Sequence, residues 1–130
     1  MKQATVIFTK LTLDSTIPCR HSKGAAGYDL YCNEDIKLQP SDHISVSTGI
    51  KCEIPSHLFG LVLGRSGVSS KNGVEIIGYI KNNEEIKIEI TNCSNMLFET
   101  SKNTRIAQLV FLKRKNLEFA TEHMNMIDLE

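Results

Sequence analysis

The stretch Ala25-Ala26-Gly27-Tyr28-Asp29-Leu30 decides how the fold of this chain is interpreted. Its small residues and Gly27 favour a strand that packs tightly, and Asp29 then supplies one carboxylate to the side that faces a ligand. Two later segments belong with it, and they are Arg65-Ser66-Gly67-Val68 and Arg105-Ile106-Ala107-Gln108-Leu109. Each segment places polar side chains in a strand or a turn, where they are candidates for contact with a ligand.

Composition indicates one domain, which we place at residues 1–130, because 130 residues are enough for one hydrophobic core. Fifteen Lys and Arg balance fifteen Asp and Glu, so no broad positive field favours nucleic-acid binding. The sequence shows neither an apolar signal core after Met1 nor a run of 18 apolar residues. We therefore expect a soluble intracellular protein of the cytoplasm or nucleus, without a membrane or nucleic-acid partner.

The cysteines and histidines do not form a metal-binding pattern. No C-x-x-C pair and no closely spaced histidine pair occurs, so a zinc site lacks its usual spacing. Cysteines without a secretory context are more often buried thiols, and scattered histidines are more often surface or turn residues. We assign no role to any of these residues, which are Cys19, Cys32, Cys52, Cys93, His21, His43, His57 and His123.

Short alternating runs separated by turn residues predict an all-β fold, of the jelly-roll or distorted-barrel type. Turn signals are Gln39-Pro40-Ser41-Asp42, Ile54-Pro55-Ser56, Asn72-Gly73 and Asn82-Asn83. One short helix is expected at about Val68–Asn72. The predicted strands are Thr5–Leu13, Ile44–Ile50, Leu58–Leu63, Val74–Ile80, Glu85–Ile90 and Arg105–Leu112.

Two of the segments have both a chemical and a plain structural interpretation. In Gly64-Arg65-Ser66-Gly67, the glycines let backbone N–H groups approach an anion while Arg65 adds charge and Ser66 a hydroxyl. Alone, the same four residues are an ordinary polar turn. Asp29 is likewise either a ligand-facing carboxylate or a strand-end residue that satisfies a turn.

The three segments together, in this order and in a chain of this length, resemble the trimeric dUTPases. These enzymes hydrolyse dUTP to dUMP and pyrophosphate with magnesium. The run from Pro55 to Leu61 extends the likeness, because it follows the family's approach to the second motif. The resemblance implies a homotrimer of jelly-roll subunits, with Mg²⁺ bound alongside the nucleotide and no direct protein ligand to the metal.

The resemblance also implies roles for the matching residues. Arg65, Ser66 and Gly67 would hold the phosphates, and the Gln108 amide would contact a phosphate or a metal-bound water. Asp29 would lie near the water shell of the magnesium ion. Arg105 is either a rim charge at the start of a strand or a structural and intersubunit arginine, and we favour the structural role.

The third family motif departs from the pattern, because Gly78-Tyr79-Ile80-Lys81 stands where the family has Gly-Val-Ile-Asp in its base-recognition hairpin. Either Lys81 or Tyr79 replaces the catalytic aspartate, and the hairpin is shorter by about three positions. No aromatic residue clearly corresponds to the one that supports deoxyribose. A lysine with a pKa of about 10.4 cannot serve as the base in place of a carboxylate, so no catalytic residue is assigned.

Substitutes for the lost groups are few. Glu84 and Glu85 supply carboxylates on the far arm of the hairpin, but general-base catalysis tolerates little displacement. The fifth motif, a glycine-rich arm with Arg and an aromatic residue, has no counterpart in Met126-Ile127-Asp128-Leu129-Glu130. This stretch is interpreted as a final strand or a frayed tail.

Three functions remain open from the sequence. The favoured one is a dUTPase-fold homotrimer that has lost most or all hydrolysis, retains weak binding of dUTP, dUMP or phosphate, and acts through an unidentified protein partner. The second is a working dUTP pyrophosphatase that uses a substitute carboxylate. The third is a purely structural or interaction protein. A deoxycytidine-nucleotide deaminase ranks last, because the chain does not match the motif of those enzymes.

Overall fold

A computed structural model describes residues 4–20 and 27–122. Over these residues the chain forms nine strands and one short helix, α1 (Ser66–Asn72). The strands, in chain order, are β1 (Ile7–Lys10), β2 (Tyr28–Tyr31), β3 (Ile36–Leu38), β4 (His43–Glu53), β5 (Leu58–Gly64), β6 (Val74–Tyr79), β7 (Glu84–Asn92), β8 (Phe98–Thr100) and β9 (Arg105–Lys113).

The strands form a curled antiparallel sheet of seven strands and a separate pair. The seven-stranded order is β1-β4-β7-β6-β5-β9-β2, and β3 pairs with β8. Neighbours in the order are often distant in the chain, as expected for a jelly roll rather than a simple meander. The all-β, jelly-roll prediction is confirmed.

Alternation along the strands produces the core. In β7, Ile86, Ile88 and Ile90 are buried while Lys87 between them is exposed, because successive side chains of a strand point to opposite faces. The alternation ends at Asn92, which is fully buried. Its amide donates to the carbonyls of Leu38 and Met96 at 2.9 and 2.8 Å, so its burial leaves the amide nitrogen satisfied.

Most strand predictions are confirmed within a few residues, and the helix begins two residues earlier than expected. The first predicted strand is shorter than expected, since β1 covers only Ile7–Lys10. The expectation that the cysteines are buried is half wrong. Cys32 and Cys52 are buried, but Cys19 and Cys93 are exposed free thiols.

Candidate functional site

Pairing of β2, β9 and β5 brings the first and third sequence segments together. Asp29 lies directly opposite Gln108, and Gln108 lies opposite Leu63 on its other side. Side chains that are directly opposite project from the same face of a sheet. The Asp29 carboxylate and the Gln108 amide therefore share one face, next to the point where β5 ends and Arg65 begins the turn into α1.

Two arginines surround the buried carboxylate of Asp29, whose side chain is only 13% exposed. Arg105 Nη1 donates to Asp29 Oδ2 at 3.1 Å, and Arg65 Nε lies 3.7 Å from Asp29 Oδ1. Two positive charges around one carboxylate leave the cluster with a net positive charge. We call the cluster of Asp29, Arg65, Gly67, Arg105 and Gln108 the cradle.

Gln108 is positioned tightly within the cradle. Its Nε2 donates to the carbonyl of Gly64 at 3.3 Å. A Cβ at position 27 would lie 2.7 Å from Gln108 Oε1 and 3.2 Å from a methyl carbon of Val110. Gly27 is therefore required for the close approach of β2 to β9 at this point.

Gly67, by contrast, is not required by packing. It is exposed, and a Cβ built there would meet no atom within 4 Å. Glycine in a helix usually costs stability relative to alanine, and here nothing in the surrounding chain explains it. Ser66 begins α1, so its backbone adjoins the cradle. Ala25 and Ala26, which open the first segment, lie outside the described residues.

Tyr31 is another titratable residue close to the cradle, since it follows Asp29 by two positions in β2 and lies opposite Arg105. Burial raises the pKa of its phenol above the ordinary value, and the Cys19 thiol, 3.9 Å from the phenol oxygen, and the Asp29 charge raise it further. Tyr31 therefore stays neutral at physiological pH. It can donate a hydrogen bond but cannot supply a base.

The predicted hairpin opens between its two strands. β6 pairs with β7 only from Val74 to Ile76, after which β6 continues along β5 and β7 along β4. The strands diverge around a cavity of about 280 Å³, which we call the splayed opening. Its lining is mostly charged, and consists of Gly78, Tyr79, Lys81, Glu84, Glu85, Lys87 and Glu89.

Neither of the two residues that were predicted to replace the family aspartate is positioned as a base. Tyr79 is 58% exposed, and its ring stacks on Phe59 with centroids 6.0 Å apart. Lys81 is exposed just before the turn at Asn82 and Asn83, where Asn83 adopts a left-handed φ of 65°. Asparagine tolerates that conformation. The turn predicted at Asn82-Asn83 is therefore confirmed.

Glu85 is already engaged by its own sheet. Ser47 Oγ donates to Glu85 Oε2, the backbone N–H of Gly49 donates to the same oxygen at 2.8 Å, and Lys87 Nζ lies 3.0 Å from Oε1. Burial alone would raise the pKa of Glu85, but the hydrogen bonds from Ser47, Lys87 and Gly49 outweigh it and lower the pKa below 4.5. A carboxylate so satisfied is a poor proton acceptor.

Glu89 also has structural partners, since its carboxylate accepts from Ser45 Oγ at 2.8 Å and lies 2.9 Å from His43 Nε2. Glu84 differs from both. It is exposed at the start of β7, opposite Cys52 of β4. The sequence offered Glu84 and Glu85 as substitute carboxylates. The sheet binds Glu85, whereas the Glu84 side chain forms no hydrogen bond or ion pair among the described residues.

The cradle and the splayed opening are separated within one chain. Tyr79 lies three strands and two residues from Asp29 in the register of the sheet. With strands about 4.8 Å apart and about 3.3 Å per residue, the separation is about 16 Å across an uncurled sheet. Residues of the two regions therefore do not meet in one compact site of a single chain.

Two further features concern the part of the chain that the structure describes. There, no group of three or more His, Cys, Asp or Glu side chains is arranged to hold a metal ion. Among the same residues, no helix is long and apolar enough to cross a membrane. The stretch from Met126 to Glu130 lies outside the described residues.

Known proteins that resemble this chain agree with one another. The family model described as dUTPase matches residues 14–129. The deoxyuridine 5'-triphosphate nucleotidohydrolase of Antonospora locustae is 38% identical over 107 residues, which are 80% of this chain and 75% of that protein. The enzyme of the same name from Encephalitozoon cuniculi is 37% identical over 106 residues, covering 79% and 74%.

Solved structures show the same similarity in three dimensions. The dUTPase of Staphylococcus bacteriophage 80alpha superposes with a TM-score of 0.83 at 26% identity, over 93% of this chain and 97% of that one. A G164S mutant of the phage protein with dUpNHpp gives a TM-score of 0.81 at 26% identity, covering 94% and 90%.

Proposed function

Because the chain belongs to the dUTPase family, we propose that it is a homotrimeric member that binds the phosphates of a deoxyuridine nucleotide but hydrolyses dUTP poorly or not at all. The reaction of the family is hydrolysis of dUTP to dUMP and pyrophosphate. The proposal separates binding from chemistry. The cradle keeps the polar residues that match the family, whereas the hairpin lacks the family aspartate. Residues 1–130 act as one domain in this proposal.

Phosphate binding is supported by the composition of the cradle. Arg65 and Arg105 bring two positive charges to one buried carboxylate, and Gly67 leaves open space at the start of α1. Guanidinium groups and backbone N–H groups are the usual ligands of phosphate oxygens. In this proposal Arg65, Ser66, Gly67 and Gln108 contact the phosphates.

Magnesium fits the cradle only as an ion carried by the nucleotide. Mg²⁺ keeps several of its waters and commonly binds through phosphates and one or two carboxylates. Asp29 is held by two arginines, so it suits hydrogen bonds from the ion's waters rather than direct ligation. The ion would supply charge neutralisation to the phosphates.

Impaired hydrolysis rests on one observation above the others. The side chains at the position of the family aspartate are a stacked tyrosine and an exposed lysine, Tyr79 and Lys81. Glu85, a half-buried carboxylate in the lining of the splayed opening, is occupied by three donors and has a lowered pKa. Loss of a positioned base commonly costs about 10²- to 10⁴-fold in rate.

The homotrimer is supported by what a single chain leaves exposed. Leu117 and Phe119 follow β9 without regular structure and are 68% and 93% exposed, and Leu13 beside the edge strand β1 is 98% exposed. Open edges and large exposed apolar side chains favour association with other copies. The separation of the cradle from the splayed opening favours the same assembly, because a neighbouring copy brings the two together.

The second candidate, an active pyrophosphatase, is favoured by Glu84 alone. This carboxylate lies in the splayed opening beside Lys81 and is exposed. The third candidate is a protein-interaction role, with or without nucleotide. It draws on the phage 80alpha neighbour, whose structure is described as that of a dUTPase that controls transfer of virulence genes.

The deciding experiment measures pyrophosphate release from dUTP with magnesium, beside dCTP and dTTP controls. Calorimetric titration with dUpNHpp is run on the same sample. We expect binding of dUpNHpp with turnover at least about 10² below that of a relative with an intact third motif. Robust hydrolysis that Glu84→Gln abolishes would establish the second candidate, and no binding at all would leave the third. Sedimentation at micromolar concentration tests the trimer, and a stable monomer would refute it.

A further inference from the structure

The curled sheet is not closed between its two edge strands. β1 and β2 are the edges of the seven-stranded order, and among the described residues no strand pairing joins them. A cavity of about 360 Å³ lies between these edges, near the lower end of the volumes of small-molecule sites. We call this cavity the seam, and it is lined by Ala4, Val6, Phe8, Tyr28, Leu58 and Phe111.

The seam extends the hydrophobic core into a space that the described residues do not fill. Phe8, Tyr28 and Phe111 are half-buried and pack against the core. Their rings meet edge to face, with centroids 6.3 Å apart for Phe8 and Tyr28 and 5.8 Å apart for Tyr28 and Phe111. The three rings therefore line the seam and leave apolar surface that a ligand can bury, which favours binding.

The charges beside the seam are positive. None of its six lining residues is acidic. The Arg20 guanidinium lies 5.6 Å from the centroid of the Tyr28 ring. Lys113 is exposed and pairs directly opposite Leu58, so both side chains project from the same face of the sheet. Within residues 4–20 and 27–122, neither cation forms an ion pair with a carboxylate. An apolar cavity with cations beside it is complementary to a ligand that has an apolar chain and an anionic end.

The seam and the cradle use opposite faces of β2. Tyr28 pairs with Leu109, which is fully buried, whereas Asp29 pairs with Gln108 of the cradle. Successive side chains of a strand point to opposite faces. A ligand can therefore occupy the seam without touching the groups that we propose to bind phosphate.

We propose that the seam binds the acyl chain of a free medium-chain fatty acid. The chain lies between Phe8 and Phe111, and the carboxylate, which is ionised at neutral pH, lies beside Arg20. A cavity of about 360 Å³ suits one acyl chain rather than the paired chains of a membrane lipid. Binding in the seam requires neither magnesium nor nucleotide, because the cradle lies on the other face of β2.

The test is calorimetric titration of the full chain with hexanoate, octanoate and decanoate at neutral pH. Each buried methylene strengthens binding about fourfold, so we expect the affinity to rise about tenfold with each added pair of methylenes. Val6→Phe fills part of the seam and weakens decanoate binding at least about tenfold. Ile7→Phe is the matched control, because Ile7 is the next residue, points to the other face and is 49% exposed. It leaves the affinity within about twofold.

Arg20→Gln tests the anionic end of the ligand. An ion pair near the surface strengthens binding by at most about three- to fivefold, so decanoate binding weakens by that factor. Binding of decanol, which has the same chain without the charge, is unchanged. Lys37→Gln is the control for net charge, since Lys37 is exposed on the separate β3–β8 pair. Arg65→Gln leaves decanoate binding unchanged but weakens that of dUpNHpp with magnesium, so the seam and the cradle can fail separately.

Vesicles of dioleoyl phosphatidylglycerol distinguish a free fatty acid from a membrane surface as the source of the acyl chain. We expect no cosedimentation with the vesicles that Val6→Phe reduces. The proposal is overturned if such cosedimentation occurs, if decanoate does not bind saturably, or if the affinity does not rise with chain length. It is also overturned if Arg20→Gln has no more effect than Lys37→Gln, or if Ile7→Phe weakens binding as much as Val6→Phe. A second copy that covers the seam in the assembly would prevent decanoate binding.

Discussion

The Gly67→Ala variant tests whether Gly67 is present because a ligand approaches it or because the fold requires glycine there. Gly67 is the second residue of α1, it lies outside the left-handed region, and an added Cβ would meet no atom within 4 Å. Alanine is more favourable than glycine in helices by about 0.5–1 kcal/mol. Because the position lies in the first turn, we expect the lower end, a gain of about 0.5 kcal/mol in the free energy of unfolding.

The same methyl group stands where a phosphate would approach the backbone. We therefore expect Gly67→Ala to weaken dUpNHpp binding with magnesium at least about tenfold while the protein becomes slightly more stable. Urea unfolding followed by circular dichroism at fixed protein concentration gives the first quantity, and calorimetry gives the second. An unchanged affinity, with or without the gain in stability, would refute the cradle interpretation of this glycine.

Gly73→Ala serves as the control for the effect of replacing a glycine. Gly73 has a φ of 68°, and a Cβ there would lie 2.9 Å from the Cβ of Ser94. Strain of this kind costs about 1–3 kcal/mol. We expect Gly73→Ala to lower stability and to leave the affinity of the remaining folded protein for dUpNHpp unchanged, the opposite of the result at Gly67.

Three further predictions concern charged groups. Glu85→Gln should lower stability at neutral pH and flatten its decline at acid pH. The lowered pKa of Glu85 adds stability above pH 4.5 that is lost as the pH falls through the folded-state value, and urea unfolding between pH 3 and pH 7 measures both effects. Arg65→Ala should weaken dUpNHpp binding with little change in stability, because Arg105 still pairs the buried carboxylate at 3.1 Å. The double variant with Arg105→Ala should lose markedly more stability than Arg65→Ala, since it removes both guanidinium groups from a carboxylate that is only 13% exposed, and an equally large loss in Arg65→Ala would contradict this. Lys81→Asp and Tyr79→Asp should each leave dUTP turnover at least about 10² below that of an intact relative in a pyrophosphate-release assay, and full recovery by either would contradict our view of the hairpin.

The sequence predicted the long strands well and the short ones poorly. β7 and β9 contain enough alternating residues to establish their period, and both were expected within a few residues. β3 and β8 have three residues each, so their sequences contain too few alternations to distinguish strand from turn. Their pairing with each other depends on contacts between distant parts of the chain.

Of the cradle, the residue types could be predicted but not their connections. Asp29, Arg65 and Gln108 were expected to be close because their segments match one family. The ion pair between Asp29 and Arg105 joins residues 76 positions apart, and only the register of β2 on β9 creates it. The stacking of Phe59 on Tyr79, with Arg114 beside it, was missed for the same reason, since the three residues lie on three separate segments.

The divergence of β6 from β7 depends on how several strands pair rather than on the turn sequence alone. Beyond Ile76, β6 pairs with β5 as far as Tyr79, whereas β7 continues along β4, which already pairs with the other edge of β7 at Ile90 and Thr91. The turn residues Asn82-Asn83 therefore predict the turn but not the splayed opening between the two strands.

Structural use of the β7 carboxylates is the reason why we expect one restored aspartate to be insufficient. Glu85 holds the irregular stretch of β4 through Ser47 and Gly49, and Glu89 holds its start through Ser45 and His43. Removing either carboxylate to clear the splayed opening leaves donors of β4 unpaired, which costs stability. If both carboxylates stay in place, the lining of the splayed opening remains charged, although the uncharged nucleobase would have to bind there. If hydrolysis is impaired as proposed, its full recovery requires changes in two strands at once, whereas the cradle, built on β2, β5 and β9, is unaffected by either.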